Sequence, residues 1–289
     1  MYPSEFEYHR AASVKEALGL IQQYGDEAKL ISGGHSLLPI LKLRLAQPRH
    51  LVDIARIAEL AQIVEQGGRI TVGAAVSHRA VHTSDLLRDK LGLLAECAGN
   101  IGDVQVRNRG TIGGSLAHSD PAADYPAAVL ALEGAVRLDS AAGARAVKAA
   151  DYFIDLMTTA IQPGEILTAV SFAPLPAGAG FAYLKHRQPA SGFAMVGVAA
   201  CLTLDKSGKC QGAHVGITGL GAKAFRAHAV EDAINGRTPD TKALADAAAH
   251  AADGVDPLAD IHASADFRAE LARVYTRRAL ASAVARAKP

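Results

Sequence analysis

Cysteine is scarce in this chain: three in 289 residues, at 97, 201 and 210. They are odd in number and without close pairing, which excludes a disulfide framework. An iron–sulfur cluster normally takes four thiolates, so the chain holds none alone. The eleven histidines include no HExxH or comparable metal-binding spacing. Neither a GxGxxG after a strand nor a GxxxxGK[ST] loop is found, so a dinucleotide would bind by some architecture other than Rossmann or P-loop. No apolar run is long enough to span a bilayer. The opening MYPSEFEYHR is polar and charged where a signal peptide needs an apolar block. Lys and Arg total 30 against 29 Asp and Glu, a net charge of +1. That balance gives no electrostatic case for nucleic acid or an anionic membrane. The expectation is a cytoplasmic protein. If it does redox chemistry, its cofactor is organic or its metals sit on another chain.

What is present is glycine in two informative places. Residues 31–39, ISGGHSLLP, read as a strand end, a tight turn and a helix start. A second such stretch, TIGGS, occupies 111–115. Adjacent glycines let backbone approach a ligand closely. Their N–H groups, with the hydroxyls of Ser36, Thr111 and Ser115, could converge on a pyrophosphate as an anion nest. A Gly-Gly pair is more often only a turn.

Along the chain, 13–25 reads as a helix, with Ser13 and Glu16 as a capping box and Gly25 past its end. Strands are expected at 29–32, 51–54, 69–75, 135–138 and 166–172, helices at 37–45 and 126–132, and one or two helices over 83–101. The run 102–125 is dense in Gly, Asn, Asp, Pro and Arg and reads as a long, functional surface loop. PLPAGAG at 174–180 marks a domain boundary. Beyond it, strands at 181–186, 193–204 and 213–218 precede helices at 227–235, 239–253 and 264–286, an α+β pattern. The last helix places Leu271, Val274, Leu280 and Val284 on a buried stripe. The division is 1–177, with subdomains of about 1–55 and 56–177, then 178–289.

Several side chains beside the turns have the right chemistry for a ligand. Asp124 can accept a ribose or ribityl hydroxyl, though Asp120 before Pro121 is an ordinary turn initiator. His35 and His118 each stand by a glycine turn. Arg107 and Arg109 form either a solvated edge or a docking site. Lys185, in AYLKHR, is a surface charge or a cation that stabilises negative charge on a reduced cofactor ring.

Three segments carry a family resemblance: ISGGHSLLPILKLRLAQPRHLVDI, IGDVQVRNRGTIGGSLAHSDPAADYPA and ASGFAMVGVA. In this order they resemble the FAD-binding medium subunit of the molybdenum hydroxylases, the group of carbon monoxide dehydrogenase medium subunits and xanthine dehydrogenase flavin portions. The likeness extends over the whole chain to DFRAELARVYTRRAL. It implies a vanillyl-alcohol-oxidase (PCMH)-type FAD domain of two α/β subdomains, then a C-terminal α+β domain. It implies FAD contacts at Ser32, Gly33, Gly34, His35, Ser36 and Leu37, and at Gly110, Thr111, Gly114, Ser115 and Ala117. Asp124 and Lys185 match further family positions, and Ile101 and Leu167 fall where apolar side chains pack near the flavin. Phe193 stands where some members have Tyr, which removes a hydroxyl role there.

The resemblance also implies partners: a large subunit with molybdopterin that oxidises substrate, and a small subunit with two [2Fe-2S] clusters, assembled as a dimer of heterotrimers. This chain would relay electrons to an external acceptor and need no acid, base or nucleophile. Two other readings are weighed against it, a self-contained FAD-dependent oxidoreductase of the same fold and a non-redox nucleotide-binding module. The first lacks an obvious catalytic base or flavin-linking motif.

Overall fold

The computed structural model describes residues 1–288. It opens with strand β1 (Glu7–Arg10), helix α1 (Val14–Tyr24), strand β2 (Ala28–Ile31), helix α2 (Leu37–Lys42) and strand β3 (His50–Asp53). The Ser13 hydroxyl accepts from the Glu16 amide at 3.1 Å, and the Glu16 carboxylate accepts from the Ala12 amide at 2.8 Å. The Ser13 half of the expected capping box is formed, while the Glu16 arm reaches one residue past the cap to Ala12. Gly25 ends α1 at φ 51°, a conformation costly for a residue with a Cβ. The strands lie parallel in the order β1-β3-β2, so α1 and α2 are the crossovers that parallel strands require. Their core includes Ala17, Val52, Ile57 and Leu60, together with Ile166 from far along the chain.

The middle region contains β4 (Ile63–Gln66), β5 (Arg69–Gly73), α3 (His78–Thr83), α4 (Asp85–Lys90), α5 (Gly92–Gly99), α6 (Val104–Arg109), α7 (Ile112–His118) and α8 (Tyr125–Ala131). After these come β6 (Ala135–Ser140), β7 (Gly143–Lys148), α9 (Ala149–Tyr152), the ribbon β8 (Phe153–Asp155) and β9 (Thr158–Thr159), and β10 (Ile166–Phe172). Strands β4-β5-β10-β6-β7 form one antiparallel sheet. Central β10 is buried along almost its whole length, whereas edge strand β7 is almost wholly exposed. That exposure erases the alternation by which β7 would be recognised.

The run 102–125 is not the long loop its composition predicts, because α6 and α7 lie within it. Asp103 caps α6 by accepting from the Val106 amide at 2.8 Å, and Thr111 caps α7 by accepting from the Gly114 amide at 3.1 Å. Gly113 and Gly114 disfavour a helix by about 1 kcal/mol each relative to Ala. Gly113 is nonetheless required, since a Cβ there would lie 2.7 Å from the Ala74 carbonyl oxygen.

The C-terminal region is an antiparallel sheet of β11 (Gly180–Arg187), β12 (Ala194–Leu204), β13 (Cys210–Thr218) and β14 (Phe225–Arg226), with helices α10 (His228–Ile234), α11 (Thr241–Ala248) and α12 (Ala265–Arg286). Ser264 caps α12. The helix buries Leu271, Ala272, Thr276, Ala279, Leu280 and Ala283, while Val274 and Val284 are only half-buried. The β11–β12 connection, 188–193, reaches back toward the middle region, with Gly192 at φ 73° lying beside Gly102.

Candidate functional site

The two glycine turns face one another across a single cleft of about 450 Å3. From β2 and its turn come Ser32, Gly33, Gly34, His35, Ser36 and Leu37; from the middle region come Ile101, Gly110, Thr111, Gly114, Ser115, Ala117, Asp124 and Leu167. Every residue expected at a cofactor lines this cleft except Lys185. The far wall adds Ser191, Gly192 and Phe193.

The turns interlock before they could touch a ligand. A Cβ on Gly33 would fall 2.7 Å from the Gly110 Cα, and one on Gly110 would fall 2.5 Å from Nε2 of His78. Gly33 therefore serves a backbone-to-backbone approach, while Gly110 makes room for the buried His78 ring. Gly34 takes φ 74°, which only glycine adopts without cost. On α7, Gly114 and Ala117 are the exposed, cleft-facing positions three residues apart. Their small size keeps that wall low.

The turns differ in what they offer. Among the described residues, the amides of Gly33, Gly34, His35 and Ser36 donate to no protein acceptor. In the second turn, Ile112 donates to the Val76 carbonyl, Gly113 to Ala74, Ser115 to Thr111, and Gly114 to the Thr111 hydroxyl. Free donors for an anion thus come mainly from the first turn, and the second supplies shape. The Ser32 hydroxyl oxygen is buried without a hydrogen-bond partner. It lines the cleft, as does His78, whose Nδ1 is also buried without a partner. Burial holds the His78 imidazole at a pKa of about 3, reinforced by His35 and Arg107, so it is neutral at physiological pH.

Asp124 is buried at the cleft wall. The Tyr183 hydroxyl donates to it, and Nζ of Lys185 lies 2.8 Å away. Burial pushes the Asp124 carboxyl upward, opposed by the Lys185 ammonium and the Tyr183 hydroxyl. Lys185 also donates to the Gly192 carbonyl at 2.7 Å. It stands behind the wall, neutralising Asp124 and fastening the 188–193 loop. Arg107 likewise turns inward, donating to the Ile101 and Gly102 carbonyls at 2.9 and 3.2 Å, whereas Arg109 remains exposed. Asp120 accepts from the Ala122 amide at 2.8 Å, as a turn initiator does. Sequence reasoning overlooked His78 and Ser191. His78 follows a helix cap with no motif around it, and the Ser191-Gly192 pair was the only local signal for the loop.

The family FAD binding domain in molybdopterin dehydrogenase matches residues 4–176, and the CO dehydrogenase flavoprotein C-terminal domain matches residues 181–283. The chain belongs to this family. It is 39% identical to the 6-hydroxypseudooxynicotine dehydrogenase complex subunit alpha of Paenarthrobacter nicotinovorans, covering 100% of this chain and 98% of the relative. It is also 39% identical to the carbon monoxide dehydrogenase medium chain of Afipia carboxidovorans, covering 100% of both. Among solved structures, a chain of the carbon monoxide dehydrogenase from Hydrogenophaga pseudoflava superposes with a TM-score of 0.97 at 38% identity, covering 100% of both chains. The fold is that of an FAD domain followed by a C-terminal domain, and the protein is a flavoprotein subunit of a molybdenum-containing oxidoreductase, with FAD its cofactor. No helix among the described residues is long and apolar enough to cross a membrane.

Proposed function

We propose that this chain holds FAD between the iron–sulfur clusters of a small subunit and an external electron acceptor, while a molybdopterin-bearing large subunit oxidises the substrate. The observation that carries the reading is the first glycine turn, where four residues whose amides have no protein acceptor, and Ser32 with its unpartnered hydroxyl, line one cleft. That donor set fits a pyrophosphate without a basic cluster. Gly33, Gly34, His35, Ser36 and Leu37 would hold the diphosphate side, with Thr111, Gly114, Ser115 and Ala117 closing over it. Asp124 would accept a hydroxyl of the cofactor, and Ile101, Leu167 and Phe193 would supply apolar walls. Bound FAD supplies exchange of electrons singly or in pairs.

All three cysteines are buried and free. Burial raises Cys97 well above the usual thiol range and Cys201 to about 12, which suits inert core thiols in a reducing compartment, here the cytoplasm. The clusters are therefore assigned to the partner, in a dimer of heterotrimers. Relatives at the same 39% identity are named for carbon monoxide and for 6-hydroxypseudooxynicotine. This supports placing substrate selectivity on the large subunit. Regions 1–177, divided near 55, and 178–289 are proposed as the domains.

The test is direct. The purified chain should bind one equivalent of FAD, show oxidised-flavin absorption and co-purify with two further subunits, and it should not oxidise an organic donor alone. Turnover by the isolated chain would favour a self-contained oxidoreductase. Calorimetry giving FAD no preference over other nucleotides would favour a non-redox module.

A further inference from the structure

Glu7 and His9 are two residues apart on β1 and so project from one face of the strand. β1 runs parallel to β3 with Glu7 opposite His50, which brings a third ligand-type side chain to the same place. Nε2 of His9 and Nδ1 of His50 are 3.1 Å apart. Glu7 Oε2 is 3.4 Å from Nδ1 of His50 and 3.8 Å from Nε2 of His9. We propose that Glu7, His9 and His50 form a binding site for a divalent late transition ion, with Zn2+ the best fit.

The distances argue for it. Ligand atoms held ~2.0–2.1 Å from zinc at tetrahedral angles are about 3.3 Å apart, and the three observed separations bracket that value. Two imidazoles and one carboxylate suit zinc and its neighbours, whereas Mg2+ and Ca2+ prefer all-oxygen shells. The rings are braced in place. The Tyr24 ring stacks on His50 at 3.7 Å with 13° between planes, and lies 5.0 Å from His9. His9 and His50 are largely covered, while Glu7 is 72% exposed, leaving the fourth coordination position to solvent. A hydrogen bond between the imidazoles accounts for their own contact. It does not account for Glu7, whose oxygen converges on both nitrogens while hydrogen-bonding to neither.

The site lies apart from the cleft. It joins edge strand β1 to β3, the middle strand of the sheet whose third member, β2, runs into the first glycine turn. Its role is therefore structural, fastening an edge strand otherwise held by backbone pairing, a small core and the hydrogen bond from the Tyr8 hydroxyl to Asp53.

Zn2+ binding by the FAD-loaded full chain, followed by competition with a chromophoric chelator and by thermal melting, tests the proposal. The expected result is one saturable equivalent and a higher melting temperature with zinc. His50→Ala should weaken binding more than about a hundredfold, and Glu7→Gln, at an exposed position that leaves the fold intact, about tenfold. His250→Gln, which breaks the isolated His250–Asp253 pair at 2.6 Å, should leave binding unchanged. Absence of saturable binding by the unmodified chain, or equal binding by the Glu7 and His50 variants, overturns the proposal.

Discussion

Gly33 and Gly110 meet backbone to backbone, with no room for a Cβ between them: one added to Gly33 would lie 2.7 Å from the Gly110 Cα. The cleft exists because these two turns close on each other. Gly33→Ala forces them apart, and backbone cannot yield as a side-chain tip can. The expected cost is about 2–3 kcal/mol of stability, together with loss of most bound flavin. Urea unfolding and the flavin-to-protein absorbance ratio measure the two effects; full flavin content at unchanged stability would contradict the interlock.

Gly114 has the opposite character. Its added Cβ meets only the Thr111 hydroxyl, at 2.9 Å, within a 4 Å radius, and the position faces the cleft. Gly114→Val crowds the Thr111 hydroxyl that caps α7, so the FAD-free chain should lose at most about 0.5–2 kcal/mol, offset in part because valine is a somewhat better helix former than glycine. It should nonetheless abolish FAD retention by filling the approach. A Gly114→Val protein that keeps stoichiometric FAD refutes the cradle.

The cleft was legible because its determinants are local. ISGGHS and TIGGS mark two backbone approaches that no side chain could make, and the cap at Ser13 and the boundary strands were equally short-range. What failed to show has long-range causes. Gly113 and Gly114 read as loop, yet both sit in α7, and Gly113 is glycine because Ala74, far back in sequence, occupies the space a side chain would need. β7 carries no alternation because it lies at a sheet edge. Lys185 read as a cofactor contact, but its position behind the wall depends on Asp124 and Gly192 arriving from other segments. Glu7, His9 and His50 match no metal motif because their convergence is set by the register of two parallel strands.

Lys185 and Asp124 should behave as one unit. Their ion pair is buried on both sides, with side chains 3% and 4% exposed. Lys185→Met leaves a buried carboxylate without its cation, a loss of about 3–5 kcal/mol. It also frees the Gly192 carbonyl and with it the 188–193 loop. Asp124→Asn in the Lys185→Met background should recover much of that loss, since the orphaned charge is gone. A double-mutant cycle by urea unfolding gives the coupling, and limited proteolysis within 188–193 reports the loop. Additive losses, with no change in proteolysis, would show that the pair holds nothing.

His78 makes the fold acid-sensitive in a defined window. Its pKa is about 3 in the folded chain, against an ordinary value of 6.5. Between these limits the unfolded chain binds a proton that the folded chain refuses, so stability rises with pH. Above pH 6.5 both states are neutral and the group has no effect. As pH falls below 6.5 the penalty grows, reaching roughly 2 kcal/mol at pH 5. His78→Leu removes the titration. It leaves no acceptor stranded, because Nδ1 has no protein partner and the hydrogen bond to the Gly110 carbonyl comes from the His78 backbone amide. Measured on the FAD-free chain, the unmodified protein should lose about 2 kcal/mol more than the variant between pH 7 and pH 5. Parallel pH profiles would place the His78 proton elsewhere.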